Sequence, residues 1–332
     1  EGRCDAVYLS KQKKHPPHSG EQLNNWRNQI PGNDPTPALC DSFDLVITGG
    51  GIAGCAAAAA AAQQGLSVAL IHDRPVLGGN ASGEIRVHTL GITWHYDHIL
   101  RHLNTPHYPN GSPDAAQEDL KRLKYIRSFA KINLFLNWRA YDAAAVNDSI
   151  LHVDARHTSS GETRRFKAPL FVDCTGDAWI GFWSGADIMY GREDSATFRE
   201  SWEKHGELWS PAKPDQRVMG TSVLWRSVET DSSYGFPKVP WAMDVAKNHA
   251  AVNGEWYWEF SRNDLHQIDD AEQIRDHMFR AIYGSFYNAK TQPQYANLKL
   301  QWISYLAGKR ESRRIKGDYI YTFNDMRNMR NF

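Results

Sequence analysis

The amino-acid sequence predicts an α/β fold in two parts, a βαβ domain that opens near residue 42 and a second, aromatic-rich α+β domain behind it. Three observations carry the prediction. A short apolar strand, Phe43-Asp-Leu-Val-Ile-Thr48, runs directly into Gly49-Gly-Gly51-Ile-Ala-Gly54 and an alanine tract. A second strand, Ser67-Val-Ala-Leu-Ile71, follows the helix stop at Gly65, which completes strand, glycine turn, helix and strand within about 30 residues. Nine of the 12 Trp lie from Trp179 onward, together with Pro211, Pro214, Pro237 and Pro240, and this shift in composition marks the second domain.

The length of 332 residues suits two domains at roughly 100–200 residues each. With 38 Lys+Arg against 38 Asp+Glu and 41% hydrophobic residues, disorder, a coiled coil and a nucleic-acid footprint are disfavoured, and the expected partner is a small-molecule substrate. The longest apolar run, Ile52 to Ala62, ends at Gln63-Gln64-Gly65, short of the ~18 residues a membrane span needs, so a soluble protein is expected. Cys4, Cys40, Cys55 and Cys174 contain no CxxC pair, which removes the simplest disulfide, dithiol and metal readings. A chain starting at Glu1 gives no destination, and nothing in the sequence fixes an oligomeric state.

Along the chain, residues 1–41 are polar and broken by Pro16, Pro17, Pro31, Pro35 and Pro37, and read as an extended arm. Residues 42–177 form the nucleotide-binding domain. After its opening βαβ, a helix is predicted over Ala115–Lys131, where Leu120, Leu123 and Ile126 follow the Ser112-Pro113-Asp114 start signal. Strands follow at 132–137, 149–157 and 163–173, the last two joined by a hairpin across Ser159-Ser160-Gly161-Glu162. Residues 178–300 form the substrate domain, with Trp225, Trp256 and Trp258 in strand-like runs and a helix over 271–287. A further helix over 298–316 leads into a returning segment at 301–332.

The glycine motif carries the first chemistry. Gly49 permits a tight turn out of the strand, Gly51 lets backbone approach a pyrophosphate, and Gly54 lets the helix pack closely on the strand. The helix N-terminus, at Ala53, turns free N–H groups toward the phosphates. An acidic residue is expected at the end of the second strand to bind a ribose, and there the sequence offers His72-Asp73, with Asp73 one position late. Arg74-Pro-Val-Leu-Gly78-Gly79-Asn80 then places a cation and a glycine doublet where a second loop can wrap the pyrophosphate or run under a flavin.

Through these residues the chain resembles the FAD-dependent oxidoreductases of the glutathione-reductase-like flavoprotein superfamily, in particular the group carrying "DRPVLGGNAS" after the ribose strand. The resemblance spans about residues 43–325. It extends to Phe171-Val-Asp-Cys-Thr175-Gly176-Asp177, similar to the superfamily's second cofactor-side motif, and to Gly308-Lys-Arg-Glu-Ser-Arg-Arg314 with Gly317-Asp318, similar to the group's "RESRR…GDY" block. It implies a Rossmann-like FAD/NAD(P)-binding domain with FAD as cofactor. In such proteins a late strand-turn-helix closes the flavin site, and none is recognised before Phe332. A truncated or degenerate flavoprotein fold acting as an interaction module, and an NAD-dependent dehydrogenase, are the alternatives.

The flavin carries hydride chemistry, so the protein has to supply a base and charge stabilisation. If 84–89 is extended, Glu84, Arg86 and His88 share one face, with His88 the candidate base; the same pattern also suits a solvated strand face. Arg310, Arg313 and Arg314 at i, i+3, i+4 would line one side of a helix, where Arg310 or Arg313 could clamp a carboxylate or reduced flavin, or simply form surface salt bridges. His95-Tyr-Asp97-His98 lacks an HExxH pattern, and no metal is expected. Tryptophan density and the resemblance together suggest a sugar or polyol as substrate.

Overall fold

In a computed structural model the described residues are 36–91, 97–200 and 211–330, with a few isolated positions before 36. The chain runs through β1 (Ala38–Ser42), β2 (Leu45–Thr48), α1 (Ile52–Gln63), β3 (Val68–His72), α2 (Gln117–Arg127) and β4 (Ile132–Leu136). It continues through β5 (Trp138–Val146), β6 (Ser149–His157), β7 (Thr163–Lys167), β8 (Leu170–Asp173), α3 (Trp179–Trp183) and β9 (Ile188–Met189). Then come β10 (Trp225–Glu229), α4 (Ala271–Lys290), β11 (Leu298–Ile303) and β12 (Arg314–Ile315).

Strands β4-β3-β2-β8 form an all-parallel sheet, which needs cover on both faces. Alternation along the strands supplies it. Leu45, Ile47, Val68 and Leu70 pack against Cys55, Ala58 and Ala59 of α1 and Ile126 of α2. Val46, Ala69 and Ile71 face the other way, onto Trp138, Ala155 and Phe166 of a second sheet ordered β1-β7-β6-β5. The alanines of α1 bring its axis close to the sheet. The result is a three-layer helix/sheet/sheet sandwich with the loops after β2, β3 and β8 at one edge, where ligands bind in open parallel sheets.

A separate core forms the second domain. Here Val223, Trp225, Phe260, Ile274, Met278, Ile282 and Phe286 bury themselves between α4 and the antiparallel pair β10-β11. No helix of the described residues is long and apolar enough to cross a membrane.

Several boundaries differ from those predicted. The stretch 163–173 is two strands in two sheets, because Pro169 has no N–H for a ladder and breaks it between β7 and β8. Asn137 adopts φ 62° and turns the chain from β4 into β5, a strand the sequence pattern did not separate. The helix over 115–131 is a short 3-10 turn at Pro113–Ala116 followed by α2, and Leu120 on it is exposed whereas Arg122 is fully buried. The stretch 298–316 is not a helix. Leu298, Leu300 and Trp302 alternate with Lys299 and Gln301, and this period of two places Leu298 and Leu300 on the core as β11. Of the three tryptophans, Trp225 lies in β10, while Trp256 and Trp258 lie in irregular backbone. The end of the N-terminal arm forms β1 and pairs in parallel with β7.

Candidate cofactor and active site

The glycine turn is built as tightly as its sequence requires. Gly49 adopts φ +105°, and a Cβ there would overlap the Cys174 carbonyl at the end of β8; a Cβ on Gly54 would overlap the Gly49 carbonyl. These two glycines are spaces the fold itself fills. Gly51 differs. It starts α1 in extended backbone (φ −67°, ψ −176°), and a Cβ on it would meet only the Gly79 Cα, at 3.9 Å. No side chain caps α1 and its first turn carries no acidic residue, so the N–H groups of that turn are left for an external acceptor.

The glycine doublet lies directly across from this turn. Gly78 pairs with Gly51 as a parallel bridge, and its N–H donates to the Gly50 carbonyl at 2.8 Å. His72 fastens the same corner: its Nδ1 accepts from the Gly50 N–H at 3.0 Å, which leaves Nε2–H to donate to the Val76 carbonyl at 2.9 Å. Burial pushes the His72 pKa down, and the nearby Arg74 adds to the effect. His72 is therefore an inward clamp on the two loops. Asp73, beyond it at the end of β3, keeps a half-exposed carboxylate.

Behind the doublet sits Arg122, which the sequence reading missed. Its fully buried guanidinium donates to the carbonyls of Leu103 (2.7 Å), Ala81 (2.9 Å) and Leu77 (3.5 Å), to Thr105 Oγ1, and to Asp119 (2.9 Å) one helical turn away. Asp119 accepts in turn from the Gly83 N–H at 2.8 Å. One turn of α2 thus holds residues 77 to 83 from beneath. Burial pushes the Arg122 pKa down and the Asp119 pKa up. An Asp and an Arg three apart beside Leu123 and Ile126 are the sequence signal that this helix face holds something polar.

The loop is held from outside by the returning segment. Asn80 Nδ2 donates to the Lys309 carbonyl at 2.7 Å, Ser304 Oγ to the Glu84 carbonyl at 2.9 Å, and Tyr305 OH to Glu84 Oε1 at 2.7 Å. Burial and the Glu84 carboxylate push the Tyr305 pKa up to about 12. The other carboxylate oxygen of Glu84 accepts from Arg74 at 2.8 Å, so Arg74 is spent on an internal ion pair.

The motif after β8 joins the same segment. Asp173 accepts from the Thr175 N–H and hydroxyl and from the N–H groups of Ile180 and Gly181, capping α3, which leads Thr175 and Gly176 out at the loop edge. Asp177 is buried, paired with Lys309 and accepting from Ser312 Oγ at 2.7 Å.

The predicted catalytic face does not form. Residues 84–89 are a turn followed by irregular backbone, and Arg86 adopts φ +64°, so the alternation that would align the three side chains is lost. Glu84 points to Arg74 and Tyr305, Arg86 stacks on Trp302 at 4.3 Å, and His88 Nδ1 meets Asn110 Oδ1 at 2.7 Å. Nor do the arginines share a helical side, since 308–313 is not helical. Arg310 pairs with Glu259 over the Trp256 ring. Arg313 lies between Trp179 and Phe182, 4.1 Å from each centroid, and donates to the Asp177 carbonyl. Burial pushes its pKa down. His95 lies outside the described residues; among those described, no group of three His, Cys, Asp or Glu is placed to hold a metal. A cleft of about 270 Å³ in the second domain, lined by Tyr257, Glu259, Arg262 and His277 among others, shares no residue with the glycine loops.

Residues 44–332 match the family described as FAD dependent oxidoreductase. The chain belongs to that family. The family's description names FAD, the cofactor that the sequence motifs imply. No curated protein matches the chain. Among solved structures, similarity is found to a geranylgeranyl bacteriochlorophyll reductase-like protein from Thermoplasma acidophilum, at 12% identity over 82% of this chain and 66% of that one, with TM-score 0.41. The glycerol-3-phosphate dehydrogenase from Bacillus halodurans complexed with FAD matches at 12% identity over 57% and 40%, with TM-score 0.33. L-proline dehydrogenase from P. horikoshii matches at 19% identity over 49% and 26%, with TM-score 0.30. The chain thus spans between about a quarter and two thirds of these proteins' lengths.

The residues present fit FAD where that cofactor is most charged. The uncapped start of α1, with the glycine doublet packed beside Gly51, forms a backbone cradle whose N–H groups have the polarity a diphosphate needs.

Proposed function

We propose that the chain oxidises a hydroxyl-bearing small molecule, with a carbohydrate or polyol as the substrate class, and that it belongs to the glutathione-reductase-like branch of flavoproteins. The observation that carries the reading is the uncapped start of α1 beside the Gly78-Gly79 doublet, at the loop edge of a parallel sheet, in a chain of the FAD-dependent oxidoreductase family. In this reading the N–H groups at Ile52 and Ala53 and the Gly78-Gly79-Asn80 loop hold the diphosphate. Asp73 takes the adenosine ribose, and Thr175 and Gly176 line the approach to the ring.

FAD, when bound, supplies a two-electron acceptor for the hydrogen that leaves carbon as hydride. The chain's own task is the proton. As the C–H bond breaks and the C=O bond forms, the hydroxyl proton has to pass to a base. Support for His88 comes from its position: the Val87 N–H donates to the Asn80 carbonyl at 2.9 Å, which puts His88 within roughly 13 Å of the doublet by chain geometry. Arg310 and Arg313 are held by Glu259 and by the Trp179/Phe182 pair, so in this reading they steady the walls of the site. The sugar preference rests on the tryptophan content and on the resemblance of the motifs.

The test is the reductive half-reaction. Flavin-loaded protein is mixed anaerobically with aldoses, polyols, amino acids and glycerol phosphate, and bleaching of the oxidised flavin band is followed. Bleaching by a sugar or polyol that is slowed ~10²-fold or more by His88→Ala supports the proposal. Bleaching by an amino acid alone, or an unaffected His88→Ala variant, rejects the substrate class or the base respectively.

A further inference from the structure

We propose that Asn110 is a positioning residue that locks His88 in its Nδ1–H tautomer, leaving Nε2 as the proton-accepting atom. The inference rests on His88 being the base and adds the device that sets which nitrogen acts. Asn110 Oδ1 lies 2.9 Å from the His88 backbone nitrogen and 2.7 Å from its ring Nδ1. A backbone N–H can only donate, so the atom facing it is the amide oxygen and not the amide nitrogen, which fixes the orientation of the Asn110 amide. The oxygen cannot donate to Nδ1, and therefore Nδ1 carries the proton.

In a neutral imidazole the other nitrogen then holds the lone pair. Nε2 makes no hydrogen bond to protein among the described residues, while Tyr108 packs edge-on against the ring at 5.2 Å and limits its rotation. The Asn110 amide is held in turn: its Nδ2 points at Glu255 Oε2, 3.5 Å away on the second domain. Glu255, Asn110 and His88 therefore form a relay of orientation, from the second domain to the edge of the cofactor loop. It moves no proton along its length, because Asn110 does not titrate. The logic is that of any general base whose non-reacting nitrogen is pinned by an acceptor.

The experiment reads the tautomer directly and the rate separately. Ring nitrogen shifts of 15N-histidine-labelled protein, with His88 assigned by its loss in His88→Gln, are recorded near neutral pH without substrate for wild type, Asn110→Ala and Asn110→Asp. The expected result is Nδ1–H in wild type and in Asn110→Asp, whose carboxylate still accepts both bonds, and a shift toward Nε2–H in Asn110→Ala. Flavin reduction should fall ~10- to 10²-fold in Asn110→Ala, mainly in kcat, with Asn110→Asp restoring part of it. Nε2–H in the wild type overturns the proposal, and that measurement requires no variant of Asn110 to fold. An equal loss of rate in both variants also overturns it, by marking a purely structural role. If His88→Ala leaves flavin reduction unchanged while the wild-type tautomer is Nδ1–H, the base reading fails by itself, and with it the role of Asn110 in the reaction.

Discussion

Replacing Gly51 by alanine separates the cofactor's needs from those of the fold. The Gly51 backbone is extended, at φ −67° and ψ −176°, which any residue adopts, and the new methyl group would meet only the Gly79 Cα at 3.9 Å, an ordinary contact. The folded protein should therefore lose less than about 1 kcal/mol. For a bound diphosphate the same methyl stands where its oxygens reach the first N–H groups of α1. Losing two charge-assisted hydrogen bonds at about 1.5–3 kcal/mol each gives ~3–6 kcal/mol, or roughly 10²- to 10⁴-fold in Kd. The assay is a titration of flavin-free protein with FAD by fluorescence, paired with thermal melts of the flavin-free forms. Gly49→Ala and Gly54→Ala are the contrasting pair, since their methyl groups collide with the Cys174 and Gly49 carbonyls and should lower the melting temperature before any ligand is added. A Gly51→Ala protein that melts like wild type and binds FAD within about threefold of it would refute the cradle.

Two other perturbations probe what shapes this cradle. Arg122→Leu strips the donors from the Leu77, Ala81 and Leu103 carbonyls and leaves Asp119 without its cation; urea unfolding should show a loss of about 3–5 kcal/mol, and a loss below about 1 kcal/mol would mean the loop does not need it. The His72 pKa is held below its ordinary value near 6.5, so the unfolded chain takes up the proton first. Its contribution to stability is complete above that value and is lost as pH falls through it toward the depressed folded value. Urea midpoints measured from neutral pH downward should decline for wild type and decline less for His72→Asn, which offers an acceptor to Gly50 but does not titrate; parallel declines would discount His72.

The opening βαβ was legible because each of its residues answers to local physics: Gly49 and Gly54 to collisions, the alanines of α1 to close packing, Gly65 to a helix end at φ +86°. What failed was alignment argued from spacing alone. Glu84, Arg86 and His88 share a face only if the backbone is regular, and the positive φ of Arg86 is set by hydrogen bonds from Ile85 and Arg86 back to Ser82, a local turn with no strong sequence mark. Arg310 and Arg313 match a helical spacing by accident, while the alternation at 298–302 was the truer signal. Arg122 was hidden for the opposite reason. A charged residue on an amphipathic helix is read as solvent-facing, and its burial becomes apparent only when Leu77, Ala81 and Leu103 converge on it from elsewhere in the chain. The Asn110–His88 pair likewise joins residues 22 apart across irregular backbone, where no periodicity reports contact.

The Gly78–Glu84 loop is fastened twice, and the two fastenings belong to different moments in the making of the protein. Its inner anchors, Arg122 and Asp119, are synthesised about 40 residues after it. Its outer anchors at Ser304 and Lys309 follow 220 and 229 residues later. On a ribosome adding about 5–20 residues per second, the nascent loop waits roughly 10–50 s with one side open. The doubly fastened loop is thereby complete only late in biogenesis. A chain released before residue 304 would carry the complete glycine motif and still lack the outer wall of the site, so an intact fingerprint by itself is no guarantee of a yellow protein.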